Sequence, residues 1–493
     1  MRSWSCWSWV YAGGVLGLAV GAGCFRYAPN HCGNNEGDAT CRDRELGMFC
    51  DLCVGNNDGC VNAQPPADCY WEGPETDGDS SSGSGSETGG GSTTTTTDAT
   101  VDDGSSTGPV PCVTNEDCAD PLAPFCEPAS GDCLSCEVMS DPDGACAGLD
   151  ADEPLCVGGA CVACTPRDAS VCDVLAQICD EQTNACVPCT EHAQCDSGAC
   201  ELAGGQCFPT TFVATVDGDA GSGADYPSIA AAVGAVGDGQ HGVIVVHELD
   251  GGADYGGVLV DGGKTIALLA ASGEAPIVQG TGSNPGLRVE GAGTGLYVDG
   301  LSVTNAAVQG VTVDQALAWL DRSRIVQNAG GGILASNAAQ LTLRNCFVGG
   351  SVNNVPALSI EDATATIAYS TLIGGLGSTA ETLACTAGAS VTVSDSLVLL
   401  QSDNSPVTCD PATFDHCASE MMLPGADNID LGSFNDVSPW FVNVGTGDFH
   451  LATPPAQVAT AAQWNEGDPS TDIDDMPRPT TDGATDVVGA DLP

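Results

Sequence analysis

The sequence predicts a mainly β protein in which a repetitive solenoid follows small disulfide-rich modules and a disordered linker. Three observations predict this fold class. Cysteines crowd the chain before residue 210 and become sparse after it. A run made almost entirely of Ser, Gly, Thr and Asp interrupts the cysteine-rich part. From about residue 211, short strands with alternating apolar residues recur every 22 to 29 residues, a period typical of one solenoid coil.

The composition excludes one class of partner. The 493 residues include 66 acidic and 11 basic ones, which gives a formal net charge of −55. A chain this acidic would repel phosphate backbones, so we expect no nucleic-acid partner. The 28 cysteines favour an oxidising compartment outside the cytosol. Lys264 is the only lysine, so a mechanism that needs a basic side chain has few candidates.

The amino terminus has the features of an export signal. Arg2 precedes an apolar run over residues 10–20 that is too short to span a bilayer, and small residues then lead to Cys24. This pattern resembles the signal of bacterial lipoproteins. The resemblance implies a signal peptide over residues 1–23 and lipidation of Cys24. The mature protein would then be anchored to the membrane rather than spanning it. In that family Phe25 after the cysteine implies the outer membrane of a Gram-negative cell envelope.

The alternative is an ordinary cleaved signal peptide, with Cys24 in a disulfide bond. Cysteine parity favours the lipid. If Cys6 lies in the signal and Cys24 is acylated, 26 of the 28 cysteines remain (28 − 2), an even number that can pair completely.

Residues 24–73 form an N-terminal cysteine-rich module, and residues 74–110 form the linker. We expect disulfide bonds among the module's six cysteines: Cys32, Cys41, Cys50, Cys53, Cys60 and Cys69. The linker contains the run SSSGSGSETGGGSTTTTT, which cannot bury enough apolar surface to offset its ordering entropy. It is therefore predicted to be a flexible tether.

Residues 111–209 are predicted to be four disulfide-rich repeats. Three units end in GDCLSC, GACVAC and NACVPC, and the fourth ends in GQCFP. Units this short cannot build an apolar core, so cross-links must replace it. The alternative is zinc bound by the CxxC pairs, but only one histidine, His192, lies here, and export favours disulfides. The sixteen cysteines are Cys112, Cys118, Cys126, Cys133, Cys136, Cys146, Cys156, Cys161, Cys164, Cys172, Cys179, Cys186, Cys189, Cys195, Cys200 and Cys207.

Residues 210–493 repeat a pattern of two strands. The first strand ends at Val298, Leu320, Leu343, Ile367 and Val393 in successive repeats, and a small residue and another apolar residue follow each. The second strand carries inward pairs such as Val258/Val260, Val311/Val313 and Leu358/Ile360. A period of two inside such a repeat predicts one coil per repeat, with inward residues stacked in columns about 4.8 Å apart. A leucine-rich repeat is the alternative, but its L-x-x-L-x-L signature is absent.

This pattern resembles the right-handed parallel β-helix of the pectin-lyase-like superfamily. Residues 226–233 look like the helix that caps the amino-terminal end of such a helix. Residues 447–451, 471–479 and 486–491 look like the closing segment of many bacterial β-helix repeat proteins. The resemblance implies the fold but not the function, because lyases, hydrolases, adhesins and inert spacers share it.

One cluster of arginines is the weak candidate for catalysis. Lyases of this superfamily take a proton with a basic side chain while aspartates hold calcium, which neutralises the substrate carboxylate. The clustered basic residues are Arg322, Arg324 and Arg344, and their expected acidic neighbours are Asp299, Asp314 and Asp321. We predict that Asp299, Asp321 and Arg344 stack in one column. The alternative is a solvated charge ladder that discourages edge-to-edge association.

Other catalytic patterns are missing. The Gly-His-Gly and Arg-x-Lys segments of polygalacturonase-type hydrolases do not occur, and neither does G-x-S-x-G. We therefore expect a protein without catalytic activity. If it is an enzyme, it should be lyase-like or glycoside-hydrolase-like.

Tyr297 and Trp319 are the candidates for a ligand surface. They are predicted to be stacked outward neighbours, and exposed aromatics beside arginines suit an acidic polysaccharide. The alternative is that a loop covers them. The acidic runs 217–219 and 472–475 are candidates for weakly bound calcium, against a default of solvated turns. No other cofactor is expected.

The solenoid has four cysteines. Cys385 and Cys409 lie one coil apart and could bridge stacked coils, with Cys409–Cys417 as the competing pair. Cys346 is expected to be a buried free thiol.

The functional prediction is a surface-exposed, lipid-anchored structural or adhesive protein. Its β-helix would bind a polysaccharide or an extracellular protein. The alternative is a calcium-assisted polysaccharide lyase or hydrolase that acts on an acidic glycan.

Overall fold

The computed structural model describes residues 111–377, 381–386, 388–401, 406–410 and 412–493, together with the backbone of four short strands nearer the amino terminus. Cys6–Trp9 pairs antiparallel with Gly21–Cys24, and Phe49–Cys50 pairs antiparallel with Cys60–Val61. The predictions for the signal peptide, the lipid on Cys24, the six cysteines of residues 24–73 and the linker lie outside the described residues and side chains. The chain divides into the units Met1–Ser105 and Ser106–Pro493. The second unit contains the disulfide repeats and the solenoid.

All sixteen cysteines of residues 112–207 form disulfide bonds, as expected for such repeats. In each unit the first cysteine pairs with the third and the second with the fourth. The bonds are Cys112–Cys126, Cys118–Cys133, Cys136–Cys156, Cys146–Cys161, Cys164–Cys179, Cys172–Cys186, Cys189–Cys200 and Cys195–Cys207. Every CxxC pair therefore contributes one cysteine to each of two successive units. No thiolate remains for zinc in these repeats, so that alternative is wrong.

Each unit ends in a small antiparallel hairpin. The hairpins are Phe125–Glu127 with Asp132–Leu134, Leu155–Val157 with Ala160–Val162, Ile178–Asp180 with Ala185–Val187, and Cys200–Glu201 with Gln206–Cys207. Units two and three also contain the α-helices Pro142–Leu149 and Ser170–Val174. Short 3₁₀ helices cover Asn115–Asp117, Cys136–Val138 and His192–Gln194.

The repeated glycine or asparagine near the end of each unit has a conformational cause. Gly131, Gly159, Asn184 and Gly205 all have positive φ, between 52° and 94°. This left-handed conformation favours glycine and tolerates asparagine. The carbonyl of each of these residues accepts a hydrogen bond from the backbone N–H of the first cysteine in its unit, at 3.0 to 3.2 Å. The turn thus fixes the unit's first cysteine beside its last hairpin.

The fold class is confirmed for the second half of the chain, which forms a parallel β-solenoid of about seven coils. Three parallel sheets run along it. Sheet 1 contains, in order, Val213–Val216, His241–Val246, Thr265–Ala270, Gly295–Asp299, Leu317–Asp321, Gln340–Arg344, Thr364–Ala368, Ser390–Ser394, Ala412–Asp415 and Gly425–Ala426. Sheet 2 contains Asp254–Gly256, Ile277–Gln279, Ser302–Thr304, Arg324–Val326, Phe347–Gly349, Thr371–Ile373, Leu397–Leu399, Ala418–Ser419 and Ile429–Asp430. Sheet 3 contains Val258–Val260, Leu287–Glu290, Val311–Asp314, Ile333–Ser336, Leu358–Glu361 and Leu383–Cys385.

Two of these sheets match the two predicted strands, and sheet 2 is additional. The apolar residues that follow the first strand of each repeat belong to a strand of their own in sheet 2. The chain turns between the sheet 1 strand and this strand. The turning residue has positive φ in successive coils, at Gly300, Arg322, Asn345, Tyr369, Asp395 and His416. Four of the six are neither glycine nor asparagine, so the turn did not stand out in the sequence.

The core is a stack of inward-facing side chains. Leu296, Ala318, Leu341, Ala365 and Val391 occupy one sheet 1 column, and each is at most 3% exposed. This buried apolar stack runs the length of the solenoid and supplies its main stabilising free energy.

The corner between sheets 1 and 2 carries a buried column of small residues. Ser323, Ser370 and Ser396 are fully buried, and each hydroxyl donates to the carbonyl of the residue two positions earlier, at 2.6 to 3.0 Å. The free thiols of Cys346 and Cys417 occupy the same column and donate in the same way to the carbonyls of Arg344 and Asp415. Burial raises the pKa of the Cys417 thiol to about 12, so it stays protonated.

A helix closes the amino-terminal end of the solenoid, near the position that the resemblance implied. The helix spans Ile229–Ala235, and the Ser228 hydroxyl caps it by accepting from the Ala231 N–H at 3.3 Å. Ile229 and Val233 face the first coils and are almost fully buried.

Sheet 3 ends before sheets 1 and 2, and a disulfide bond protects its last strand. Cys385 pairs with Cys409, so the competing Cys409–Cys417 pair does not form. Leu383 forms a parallel bridge with Val407 and donates to the carbonyl of Pro406 at 2.9 Å. The disulfide therefore holds the segment that contains Pro406 and Val407 against the open edge of the sheet.

The closing segment, residues 433–493, packs against the outer side of sheet 2. It contains the helix Phe434–Val437 and the hairpins Phe441–Asn443 with Asp448–Leu451 and Ala462–Trp464 with Ala484–Asp486. The rings of Phe347 and Phe449 lie 5.6 Å apart in a second apolar core between the segment and the sheet. Among the described residues, no helix has the length and apolar character to cross a membrane.

Candidate functional site

The arginine cluster lies where sheet 1 turns into sheet 2. Asp299, Asp321 and Arg344 are aligned in the registers of three neighbouring strands. They stack in a column because each follows the last inward residue of its strand by one position. The predicted column is therefore present. Asp314 lies on the coil of Asp321, as expected, but it ends a sheet 3 strand, where it accepts from the amide of Asn337 at 2.8 Å, and it is not part of the column.

The arginines bind the carboxylates of the preceding coil. Arg322 Nε donates to Asp299 Oδ1 at 2.8 Å, and Arg344 Nε donates to Asp321 Oδ2 at 2.6 Å. A second nitrogen of Arg322 donates to the other oxygen of Asp299, so that pair is bidentate, whereas the second nitrogen of Arg344 contacts the same Oδ2 of Asp321. Burial disfavours the charge of Arg322, but Asp299 more than offsets this and raises its pKa. These pairs link successive coils as a ladder.

The closing segment adds carboxylates from above the ladder. Asp475 binds Arg322, and Asp474 Oδ1 accepts from Arg324 at 2.6 Å. The loop that presents them is rigid, because the fully buried Asp472 accepts backbone N–H groups from residues 474, 476 and 492 at 2.8 to 2.9 Å. The acidic run 472–475 therefore has structural partners within the chain.

His450 joins this network from the first hairpin of the closing segment. Its Nε2 lies 2.8 Å from Asp474 Oδ2, and its Nδ1 contacts Asp448. The bond to Asp474 raises the pKa of His450 to about 9, against an opposing effect of burial. The same bond lowers the pKa of Asp474. Nothing in the sequence indicates this role, because His450 lies 126 residues from Arg324.

The contacts of the three arginines bear on whether one of them could act as a catalytic base. A lyase base must accept a proton from the substrate, and a guanidinium that is already paired with carboxylates is not free to do so. Each of Arg322, Arg324 and Arg344 has a carboxylate partner, and loop 471–477 lies over two of them. The arrangement can hold coils and closing segment together.

The predicted aromatic surface is covered by the fourth repeat. Tyr297 is 1% exposed, its hydroxyl donates to Glu201 at 3.2 Å, and its ring lies 5.7 Å from that of Phe208. Trp319 is partly buried in the same cluster, with the Arg344 guanidinium 5.8 Å from its ring. The two aromatics are paired in register as predicted, and the alternative that they are covered holds for Tyr297, with a disulfide module rather than a loop as the cover, while Trp319 is half-buried.

The uncovered part of sheet 1 is a polar surface whose outward residues are mostly uncharged. Its outward residues alternate with the buried column and are mostly hydroxyl-bearing. We call this surface the hydroxyl face and define it by Gln340, Thr342, Thr364, Thr366, Ser390, Thr392 and Thr413. All except Thr342 are exposed, and Thr342 is half-buried. A shallow depression crosses the face beside Thr342, Thr364 and Thr366.

The other acidic run, residues 217–219, also has internal partners. Asp217 accepts from the Asp219 N–H at 2.8 Å, and Asp219 accepts from the Asp250 N–H at 2.7 Å. These carboxylates stabilise turns at the amino-terminal end of the solenoid.

Comparison with known proteins adds a match for the repeats. A family described as "Family of unknown function (DUF8331)" matches residues 95–213. The match spans the end of the linker, the four disulfide units and the first residues of the solenoid. The chain is thus similar to that family over less than a quarter of its length. No curated protein matches the chain.

Proposed function

We propose that this protein is an exported, lipid-anchored surface protein that displays a β-helix and binds an extracellular polysaccharide or protein along it. The hydroxyl face carries the proposal. The closing segment covers sheet 2, and the fourth repeat covers the earlier coils of sheet 1. Of the hydroxyl face's seven outward polar residues, on four adjacent strands, six are exposed and one is half-buried. Such a surface can hydrogen-bond an extended partner across several coils.

The charge distribution supports an adhesive role over a catalytic one. The hydroxyl face has no charged side chain among its seven defining residues. The arginines, which could attract an acidic glycan, lie at the strand ends and are neutralised by aspartates. A polysaccharide bound on the face would therefore be held by hydrogen bonds.

Export and anchoring rest on two sequence features and one structural one. The segment before Cys24 resembles a lipoprotein signal, and the linker has the composition of a tether. The nine disulfide bonds among the described residues suit an oxidising environment outside the cytosol. The outer membrane of a Gram-negative envelope is the proposed location. The proposed fold relationship is to pectin-lyase-like β-helix proteins.

A sedimentation experiment tests the binding face. The purified protein is incubated with insoluble neutral and acidic polysaccharides, and the fraction that sediments with each is measured. We expect retention on at least one polymer, lost in the double variant Thr366→Glu/Thr392→Glu. The control Thr312→Glu/Ser359→Glu places the same charges on sheet 3 and should be retained. Equal loss in both variants would contradict the assigned face, and no retention on any polymer would exclude a polysaccharide partner.

The anchor has its own test. Replacement Cys24→Ser should move the protein from the membrane fraction to the soluble fraction of expressing bacteria. The matched control Cys6→Ser lies inside the proposed signal and should leave the protein in the membrane fraction. Continued membrane association of the Cys24→Ser protein would rule out the lipid.

A further inference from the structure

A groove lies between the third and fourth disulfide repeats and the start of the solenoid. Its volume is about 1110 Å³. Residues 169–180 form one wall, residues 187–208 form the other, and residues 209–211 with His241 close its end. The disulfide Cys195–Cys207 and the docking of Phe208 hold the second wall in place. The groove is therefore a stable feature between fixed elements.

The charged residues that line this groove are all acidic. They are Asp173, Asp180, Asp196 and Glu201, and the wall contains no lysine or arginine. Arg167, the arginine of the third repeat, does not line it. Backbone N–H groups of residues 182 and 183 bind the Asp180 carboxylate and lower its pKa. Carboxylates on the walls of a cleft focus their field into it and attract a cation more strongly than they would on a convex surface.

The same walls are partly apolar. Ile178, Val187, Pro188 and Pro209 line the groove, and none of them is fully buried. Just beside them in sequence, between lining residues 173 and 176, Val174 is 86% exposed and Leu175 is 49% exposed. Apolar side chains this open, next to a cleft, are a common feature of surfaces that bind a partner.

We propose that this groove binds a segment of another polypeptide in which lysine or arginine alternates with apolar side chains. Charge complementarity identifies the cationic part of the partner, and the exposed valine, leucine and prolines identify the apolar part. The site is independent of the hydroxyl face, from which it is separated by the docked fourth repeat. A small cation alone would satisfy the carboxylates but would leave the apolar wall exposed to water.

Fluorescence anisotropy of labelled peptides on the full-length protein tests the proposal. The probes are six-residue peptides of alternating Lys and Leu, of alternating Lys and Gly, and of alternating Glu and Leu. We expect the Lys/Leu peptide to bind most tightly and the Glu/Leu peptide not to bind. Replacement of three carboxylates in Asp173→Asn/Asp180→Asn/Asp196→Asn should weaken Lys/Leu binding about tenfold, as expected for the loss of three surface ion pairs.

Two controls make the outcome specific. The variant Glu116→Gln/Glu137→Gln/Asp152→Asn removes three exposed carboxylates from the first two repeats, and it should bind as the unaltered protein does. Leu175→Ser removes part of the apolar surface and should weaken the Lys/Leu peptide but not the Lys/Gly peptide. Equal weakening in both carboxylate variants would show diffuse attraction and would overturn the proposal. So would equal affinity for the Lys/Leu and Lys/Gly peptides, or full competition by calcium chloride at matched ionic strength.

Discussion

The ring of Tyr297 packs edge-on against the ring of Phe208, with their centroids 5.7 Å apart, and this contact joins the fourth disulfide repeat to sheet 1. An outward tyrosine on a solenoid strand is thereby buried as completely as the core. The pairing means that the disulfide repeats and the β-helix share an apolar interface in addition to a peptide link.

Loss of the Phe208 ring should therefore release the fourth repeat. We expect Phe208→Ala to cost about 3–5 kcal/mol of docking free energy, the range for truncating a buried aromatic residue. Limited proteolysis should then cut near residues 209–211 much faster than in the unaltered protein. The control Leu259→Ala alters a residue that is 42% exposed on sheet 3 and should leave cleavage unchanged. Unchanged cleavage in the Phe208→Ala protein would show that the interface is not needed for docking.

Asp395 should make the closing segment less stable as the pH rises. Its carboxyl is buried, and burial raises the pKa of Asp395 from 3.8 to about 6, although its Oδ1 accepts from the Gln463 N–H at 2.9 Å. The folded state thus keeps this proton to a higher pH than the unfolded chain. Between about pH 4 and pH 6, stability falls as pH rises.

The variant Asp395→Asn keeps an acceptor for Gln463 and removes the buried charge. It should raise the free energy of unfolding at pH 8 by about 1–3 kcal/mol and flatten the slope between pH 4 and pH 6. Denaturant unfolding across this range measures both. A slope unchanged by the substitution would exclude Asp395 as its source.

His450 should contribute with the same sign over a higher pH range. Its folded pKa is raised from 6.5 to about 9, so its contribution is complete below about pH 6.5 and is lost as the pH rises to about 9. We expect His450→Gln to lower stability at pH 6 by about 1–2 kcal/mol, reduced by solvent screening because 27% of the side chain is exposed. At pH 10 the variant and the unaltered protein should unfold alike. Equal destabilisation at both pH values would indicate lost packing instead.

The disulfide Cys385–Cys409 should stabilise the last strand of sheet 3. Its loop spans 24 residues, and cross-links of this size contribute about 2–4 kcal/mol. We expect Cys385→Ser/Cys409→Ser to lower the unfolding midpoint and to speed hydrogen exchange in residues 383–385. Cys346→Ser is the matched control, because serine is already used in its column and can donate to the same carbonyl. Faster exchange in the control as well would mean that any change in cysteine loosens the sheet.

The sequence predicted the features that repeat from one coil to the next. A spacing of one coil was enough to predict the inward column that contains Val298 and Leu320. The same spacing indicated the Cys385–Cys409 bridge and the stack of Asp299, Asp321 and Arg344. Sheet 2 was harder to recognise, because the turn before it uses positive φ at Arg322, a residue that gives no signal for it. The repeat alone indicated that the coils stack, and it could not say which outer faces would stay open.

The contacts between distant segments were beyond the reach of the sequence. Phe208 covers Tyr297, and Asp474 binds Arg324 across 150 residues. Neither residue stands out in the sequence, because Phe208 is an aromatic residue after a cysteine and Asp474 is an acidic residue in a turn. Only the folded structure shows that the arginines are paired with carboxylates. It also shows that the exposed part of sheet 1 carries threonines and not the predicted aromatics.

We infer that the arginine ladder stabilises the fold while the hydroxyl face binds. The most direct measurement is ultraviolet absorbance of unsaturated product during incubation of the full-length protein with pectate, alginate or hyaluronan plus calcium, alongside the unfolding midpoint of Arg344→Ala. We predict no sustained product from the unaltered protein and a lower unfolding midpoint for Arg344→Ala. Sustained product that disappears in Arg344→Ala while its unfolding midpoint stays unchanged would contradict this division of roles and establish a lyase.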